Sequence, residues 1–123
     1  MPDQRRTTHV LGLEGEACAE SYLAKLGMIC ISRRYRSPYG EIDLIMLDGE
    51  TLVCVEVKYR RTATLLAAQL AVSPSKQRKI TQTLLTFLNA HPEHAARLIR
   101  FDIVAISDDC VQHLPNAFQG SEW

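Results

Sequence analysis

Two carboxylates and a lysine stand close together in the stretch GEIDLIMLDGETLVCVEVKYR, residues 40–60. Asp43 and Glu56 are separated by twelve residues, and Lys58 follows Glu56 at the second position. Hard carboxylate oxygens suit Mg2+ or Mn2+. A lysine beside such a centre can orient a water or offset charge developing on a phosphate. Charged side chains in a core strand are costly unless they are paired, metal-bound or solvated at an edge.

The elements that must position them follow from the pattern. Asp48-Gly49 predicts a two-residue hairpin turn, which sets Leu47 opposite Glu50; a four-residue loop pairing Met46 with Thr51 gives the same register. Asp43 then lies opposite Cys54 with Glu56 on the diagonal, and Glu41 lies opposite Glu56. Opposite residues share a face and the strand period is two. Ile42, Leu44, Met46, Val53, Val55 and Val57 therefore fall on one face, with Glu41, Asp43, Glu56 and Lys58 on the other. The diagonal separation is roughly 7–8 Å, within reach of one shared cation. Two carboxylates at ~4 Å repel by roughly 4 kcal/mol at an effective dielectric of 20, and a divalent ion converts that repulsion into coordination. Glu16, three residues before Ala19 on an amphipathic helix, flanks the packing stripe and supplies a third candidate ligand. The same residues also fit a solvated strand face, where a cross-strand ion pair is worth ~0.2–1 kcal/mol, and Glu16 also fits a helix N-terminal acid favoured by the dipole.

Elsewhere the chain reads as follows. Residues 1–9 are polar and predicted to form a loose arm. Ala19, Tyr22, Leu23 and Leu26 recur at helical spacing between Gly12 and about Leu26, and Gly27 ends the run. Met28–Tyr35 reads as a strand and residues 37–40 (SPYG) as a turn. Residues 60–72 suit either a short helix or a packed loop. Ser73-Pro74 marks a helix start, with Ile80, Leu84, Phe87 and Leu88 as its apolar stripe up to about Ala90. Leu98–Ser107 is a strand, and residues 111–118 (VQHLPNAF) an edge strand in which His113 suits a structural hydrogen bond. The order helix, three strands, helix, strand, strand predicts an α/β fold, a mixed central sheet of about five strands flanked by helices. One domain over residues 1–123 is the simplest organisation.

Fourteen Lys and Arg balance fourteen Asp and Glu, so global attraction to nucleic acid is not implied, although a local basic face is compatible. The four cysteines form no CxxC pair, which argues against a zinc site and fits a reducing, cytoplasmic setting. No run reaches the ~18 apolar residues of a membrane span, and the N-terminus carries no secretory pattern.

The acid-x12-Glu-Val-Lys hairpin behind a helix bearing Glu16 resembles the PD-(D/E)xK nuclease core. The carrying stretches are GLEGEACAESYLAKLG (12–27), GEIDLI (40–45), VEVKYR (55–60), SKQRKI (75–80) and HLPNAF (113–118). The likeness is to archaeal-type Holliday junction resolvases and, more specifically, to the YraN-like family of bacterial restriction-endonuclease-like proteins. Gly40-Glu41-Ile42-Asp43 replaces a literal Pro-Asp pair and leaves the acid in place.

The resemblance implies Asp43, Glu56 and Glu16 as metal ligands for Mg2+ or Mn2+, Lys58 as catalytic lysine, and hydrolysis of DNA phosphodiesters, branched DNA included. Arg60, Arg61, Lys76, Arg78 and Lys79 are the candidate phosphate contacts, with Arg33, Arg34 and Arg36 near the same strand ends. A homodimer would supply the two sites that cutting two strands needs. The alternatives left open are a nucleic-acid-binding module that keeps the fold without cleaving, and a purely structural domain.

Overall fold

The computed structural model describes residues 8–59, 71–107 and 111–119. Arg60, Arg61 and most of the ambiguous 60–72 segment lie outside them. Helix α1 (Thr8–Lys25) leads into strands β1 (Ile29–Ser37), β2 (Gly40–Asp48) and β3 (Thr51–Tyr59). Helix α2 (Pro74–Ala90), a single 3-10 turn (Pro92–His94), and strands β4 (Ile99–Ile106) and β5 (Val111–Phe118) follow. The sheet order is β1-β2-β3-β4-β5. All pairings are antiparallel except β3 with β4, which is parallel. This is the mixed five-stranded sheet flanked by helices that the sequence predicts, arranged in the restriction-endonuclease-like manner.

Both faces of the sheet are covered. Ala19 and Leu23 of α1 pack against Leu44, Met46, Val53, Val55 and Val104. On the opposite face Ile80, Leu84 and Phe87 of α2 pack against Ile42, Ile45, Leu52, Cys54 and Ile103. Burying aliphatic side chains on both sides contributes roughly 1.5–3 kcal/mol each. Helix α2 begins as expected: Ser73 is the N-cap, its Oγ accepting from the Lys76 N–H at 3.2 Å, and proline occupies the first turn. Gly15 of α1 is buried, and a Cβ there would stand 3.8 Å from Ile106 and 3.9 Å from Val57, so this end of the helix lies close on β3 and β4.

Four expectations need correction. Helix α1 begins at Thr8, so residues 8 and 9 belong to the helix and not to the expected loose segment. Leu26 lies past the end of α1 and is 54% exposed, outside the packing stripe. The hairpin register is shifted by two: Asp48 pairs with Thr51, leaving Gly49 and Glu50 as the turn. Gly49 has φ +61, the left-handed value that a primed hairpin turn takes at its first central position and that glycine adopts without a steric cost. A two-residue shift preserves the faces of the paired positions, and the pairing ends at Leu44–Val55, so Asp43 and Glu56 lie just beyond the ladder. Finally, Ile42 belongs to the α2 side with Ile45, not to the α1 side with Leu44 and Met46. The alternation breaks at Asp43, where β1 carries Arg34 at φ +54 and the paired positions run from Arg33–Leu44 to Tyr35–Ile42.

Candidate active site

The break in alternation is what builds the site. Backbone pairing of β2 with β3 ends at Leu44–Val55. The next N–H, that of Val57, donates instead to the Asp43 carboxylate, 2.8 Å to Oδ2. Asp43 is thus held half-buried at the point where the two strands part, with an apolar layer on each side.

Glu16 reaches the same point from α1, helped by the close seating of Gly15. Ligand oxygens of Glu16, Glu41 and Asp43 all lie within 4.8 Å of one another. Glu56 stands on the other side of Asp43, its side chain 7% exposed, and is held by two ammonium groups. Lys58 Nζ is 3.2 Å and Lys76 Nζ 2.5 Å from the same oxygen, Oε1. Burial raises the Asp43 carboxyl to about 7, with the negative charges of Glu56 and Glu16 adding to it and the Val57 N–H opposing it. Burial, and then the neighbouring Lys76, lower the Lys58 ammonium against the pull of Glu56. Lys76 is also disfavoured by burial, but the Glu56 carboxylate outweighs that and raises it.

Of the four residues expected to carry the chemistry, Asp43, Glu56, Lys58 and Glu16 all converge here. The grouping differs in detail. The three carboxylates close enough to share an ion are Glu16, Glu41 and Asp43, whereas Glu56 is engaged by the two lysines. Glu41 is the member that sequence reasoning left without a role, although its position two residues before Asp43 was a visible signal. The three carboxylates offer an all-oxygen donor set, which fits a hard divalent cation of the Mg2+ or Mn2+ kind.

The basic residues divide into two groups. Arg33 forms a two-pronged pair with Glu20 at 2.5 and 2.7 Å. Arg34 lies 3.6 Å from Glu16 and 3.4 Å from Glu41, and Arg36 lies 3.2 Å from Glu41. These arginines balance acids around the site. On α2, Lys76 turns inward to Glu56, while Arg78 and Lys79 are exposed. Lys79 runs beside the β1–β2 turn, its Cβ 3.7 Å from where a Cβ of Gly40 would stand.

A second polar centre, missed entirely by the sequence reading, lies on the α1 side of β4. Asp102 is fully buried. It accepts from Arg100 Nε and Nη2 at 2.9 and 3.0 Å, from His113 Nε2 at 2.8 Å and from the Asn116 N–H at 2.9 Å. His113 therefore makes the structural hydrogen bond expected of it. A cavity of about 470 Å3 is lined by Arg97, Leu98, Phe101 and Phe118 among others, at the end of the sheet away from Glu56 and Lys58. Glu16 instead lines a smaller depression of about 170 Å3, together with Glu20, Arg33, Arg34 and Leu44.

Residues 15–106 match the model of the uncharacterised protein family UPF0102, a segment that contains Glu16, Asp43, Glu56, Lys58 and Lys76. The chain belongs to UPF0102. A UPF0102 protein of Desulfosudis oleivorans is 42% identical over 112 residues, covering 89% of this chain and 90% of that relative. One from Geobacter sulfurreducens is 43% identical over 115 residues, 89% of each. One from Rhodococcus opacus is 42% identical over 113 residues, 88% of this chain and 95% of its own. UPF0102 is the YraN-like family of the sequence resemblance, and the restriction-endonuclease-like sheet is in keeping with it. Its matched segment ends at Ile106, so β5, which carries His113, lies beyond it.

Proposed function

We propose that this chain is a divalent-metal-dependent endonuclease that hydrolyses phosphodiester bonds of DNA, with branched DNA as the preferred class. The observation that carries the reading is the convergence of Asp43, Glu16, Glu56 and Lys58 where β2 and β3 part. The carboxylates of Asp43 and Glu16, with Glu56 or Glu41, would hold the Mg2+ or Mn2+. When bound, such an ion neutralises phosphate charge and makes a nearby water more acidic.

The chain's own residues then have separate tasks. The Val57 N–H fixes one Asp43 oxygen, so the carboxylate meets the reaction already oriented. Lys58 Nζ, held at 3.2 Å by Glu56, is the cation available to orient water or to offset charge on the phosphate. Arg78 and Lys79 of α2, with Arg60 and Arg61 directly after β3, would supply phosphate contacts and make binding salt-sensitive. Cutting both strands of a junction would take two such sites, hence two copies of the chain.

The test is cleavage of linear, flapped and four-way DNA in Mg2+ and in Mn2+. Metal-dependent cutting that is lost in both Asp43→Ala and Lys58→Ala supports the nuclease. Salt-sensitive DNA binding with no cleavage, unchanged in Asp43→Ala, would point to a binding module instead.

A further inference from the structure

Glu56 receives two lysines on one oxygen, and the two are not equivalent. Lys58 projects from the same strand two residues on, and its side chain is 12% exposed. Lys76 comes from the first turn of α2, and its side chain is 37% exposed. Its backbone is anchored, since its N–H is capped by Ser73 Oγ, but its ammonium has an open path to solvent. The Lys58 side chain is the less exposed of the two and projects from the sheet itself.

We propose that Lys76 is an internal counterion that stands at Glu56 in place of the divalent cation and leaves when the cation arrives. This rests on the cation-binding reading of the site given above. The physical argument is one of charge. Asp43, Glu16 and Glu41 form a partly buried carboxylate group beside Glu56, and Glu56, itself buried, needs positive charge nearby. With Lys76 in place, Glu56 already has two ammonium neighbours, so a divalent ion approaching it is repelled by both. Lys58 is less exposed and fixed to the strand that carries Glu56, which leaves Lys76 as the group that gives way. Once displaced, its ammonium remains on the α2 face that also presents Lys79 one turn on, towards an incoming phosphate. Lys76 is therefore a positioning residue that couples cation binding to substrate charge, and not a ligand.

The coupling is measurable without any cleavage. Mn2+ binding to the full chain, free of DNA, is followed by titration calorimetry for the wild type, Lys76→Met, Lys76→Arg, Asp43→Ala and Lys25→Met. The expected result is at least tenfold tighter Mn2+ binding in Lys76→Met. Lys76→Arg should stay within threefold of wild type because it keeps the charge, and Lys25→Met, at the far end of α1, within twofold. Structural damage would weaken binding, so a gain in affinity is not mimicked by misfolding. Equal or weaker binding by a folded Lys76→Met overturns the counterion role.

If that variant fails to fold, the wild type decides. The Lys76 εCH2 NMR signal should shift on adding diamagnetic Mg2+, and an unmoved signal in Mg2+-saturated protein overturns the proposal. Absence of Mn2+ binding in every variant would overturn the cation reading itself. Binding lost in Asp43→Ala yet unchanged in Lys76→Met would overturn the counterion role alone.

Discussion

The Val57 N–H and the Asp43 carboxylate, 2.8 Å apart, occupy the place of a rung in the β2–β3 ladder. A side chain has taken over a backbone hydrogen bond, so the strands can separate without leaving a buried donor unsatisfied. That exchange keeps Asp43 beside Glu16 and Glu41 at the sheet's open end, and several measurable consequences follow from the way it is held.

Asp43 should limit stability at alkaline pH. Its carboxyl is raised from 3.8 to about 7, mainly by burial and then by Glu56. The folded state therefore binds more protons than the unfolded state between those values, so stability falls as pH rises through that window and the loss is complete above about 7. Asp43→Asn removes the penalty while retaining an acceptor for Val57. It should be more stable than wild type by roughly 1–3 kcal/mol at pH 8, with the difference closing towards pH 4. Urea unfolding at both pH values, without divalent metal, checks this; an unchanged difference across the range would contradict it.

Cation binding should follow the same proton. A protonated Asp43 is not a ligand, so the apparent affinity for Mn2+ should weaken about tenfold per pH unit below about 7 and level off above it. Calorimetric titrations from pH 5.5 to 8.5 measure the slope. A flat profile would mean that Asp43 does not bind the ion.

Asp102 should matter to stability and not to chemistry. Asp102→Ala leaves Arg100 and His113 facing a buried gap, and removing one partner of a buried pair costs about 3–5 kcal/mol. His113→Ala removes a single hydrogen bond and should cost about 1–2 kcal/mol. Chemical denaturation ranks the two, and a smaller loss for Asp102→Ala than for His113→Ala would be the wrong order.

DNA affinity should depend on the exposed face of α2. Each phosphate neutralised contributes about −0.9 to the slope of log affinity against log salt. Replacing both Arg78 and Lys79 by Ala should therefore flatten that slope by about two. Fluorescence anisotropy at several salt concentrations reads it directly, and an unchanged slope would remove α2 from the DNA-binding face.

Much of this arrangement was legible in the residues. The element order followed from periodicity, the Ser73-Pro74 helix start from capping chemistry, and the convergence of Asp43, Glu56 and Lys58 from a hairpin with segregated faces. The errors have physical causes. A period-two pattern cannot distinguish a register from one shifted by two, and it is the Asp48–Thr51 pairing that puts Gly49-Glu50 in the turn. The break that sends Ile42 to the α2 side depends on an arginine at positive φ, a residue type that gives no such signal. The pairing of Arg34 with Glu16 and Glu41 was not legible because the three residues come from different elements. Asp102 sits in the apolar run FDIVAI, and nothing local shows that Arg100, His113 and a backbone N–H will meet it there.

The parallel pairing of β3 with β4 sets an order of assembly. Strands β1, β2 and β3 are joined by short turns, whereas β4 can reach β3 only after the long crossover that contains α2. Contacts close in sequence form before those that must first close a large loop. The acidic hairpin should therefore form first and acquire Lys76 only when the crossover docks. Pulse-labelled hydrogen exchange should show β2 and β3 amides protected before those of β4, with simultaneous protection the contrary result. On that path the carboxylates spend an interval together without their internal lysine, when dissolved Mg2+ or Mn2+ is the nearest substitute, so refolding should be faster in its presence.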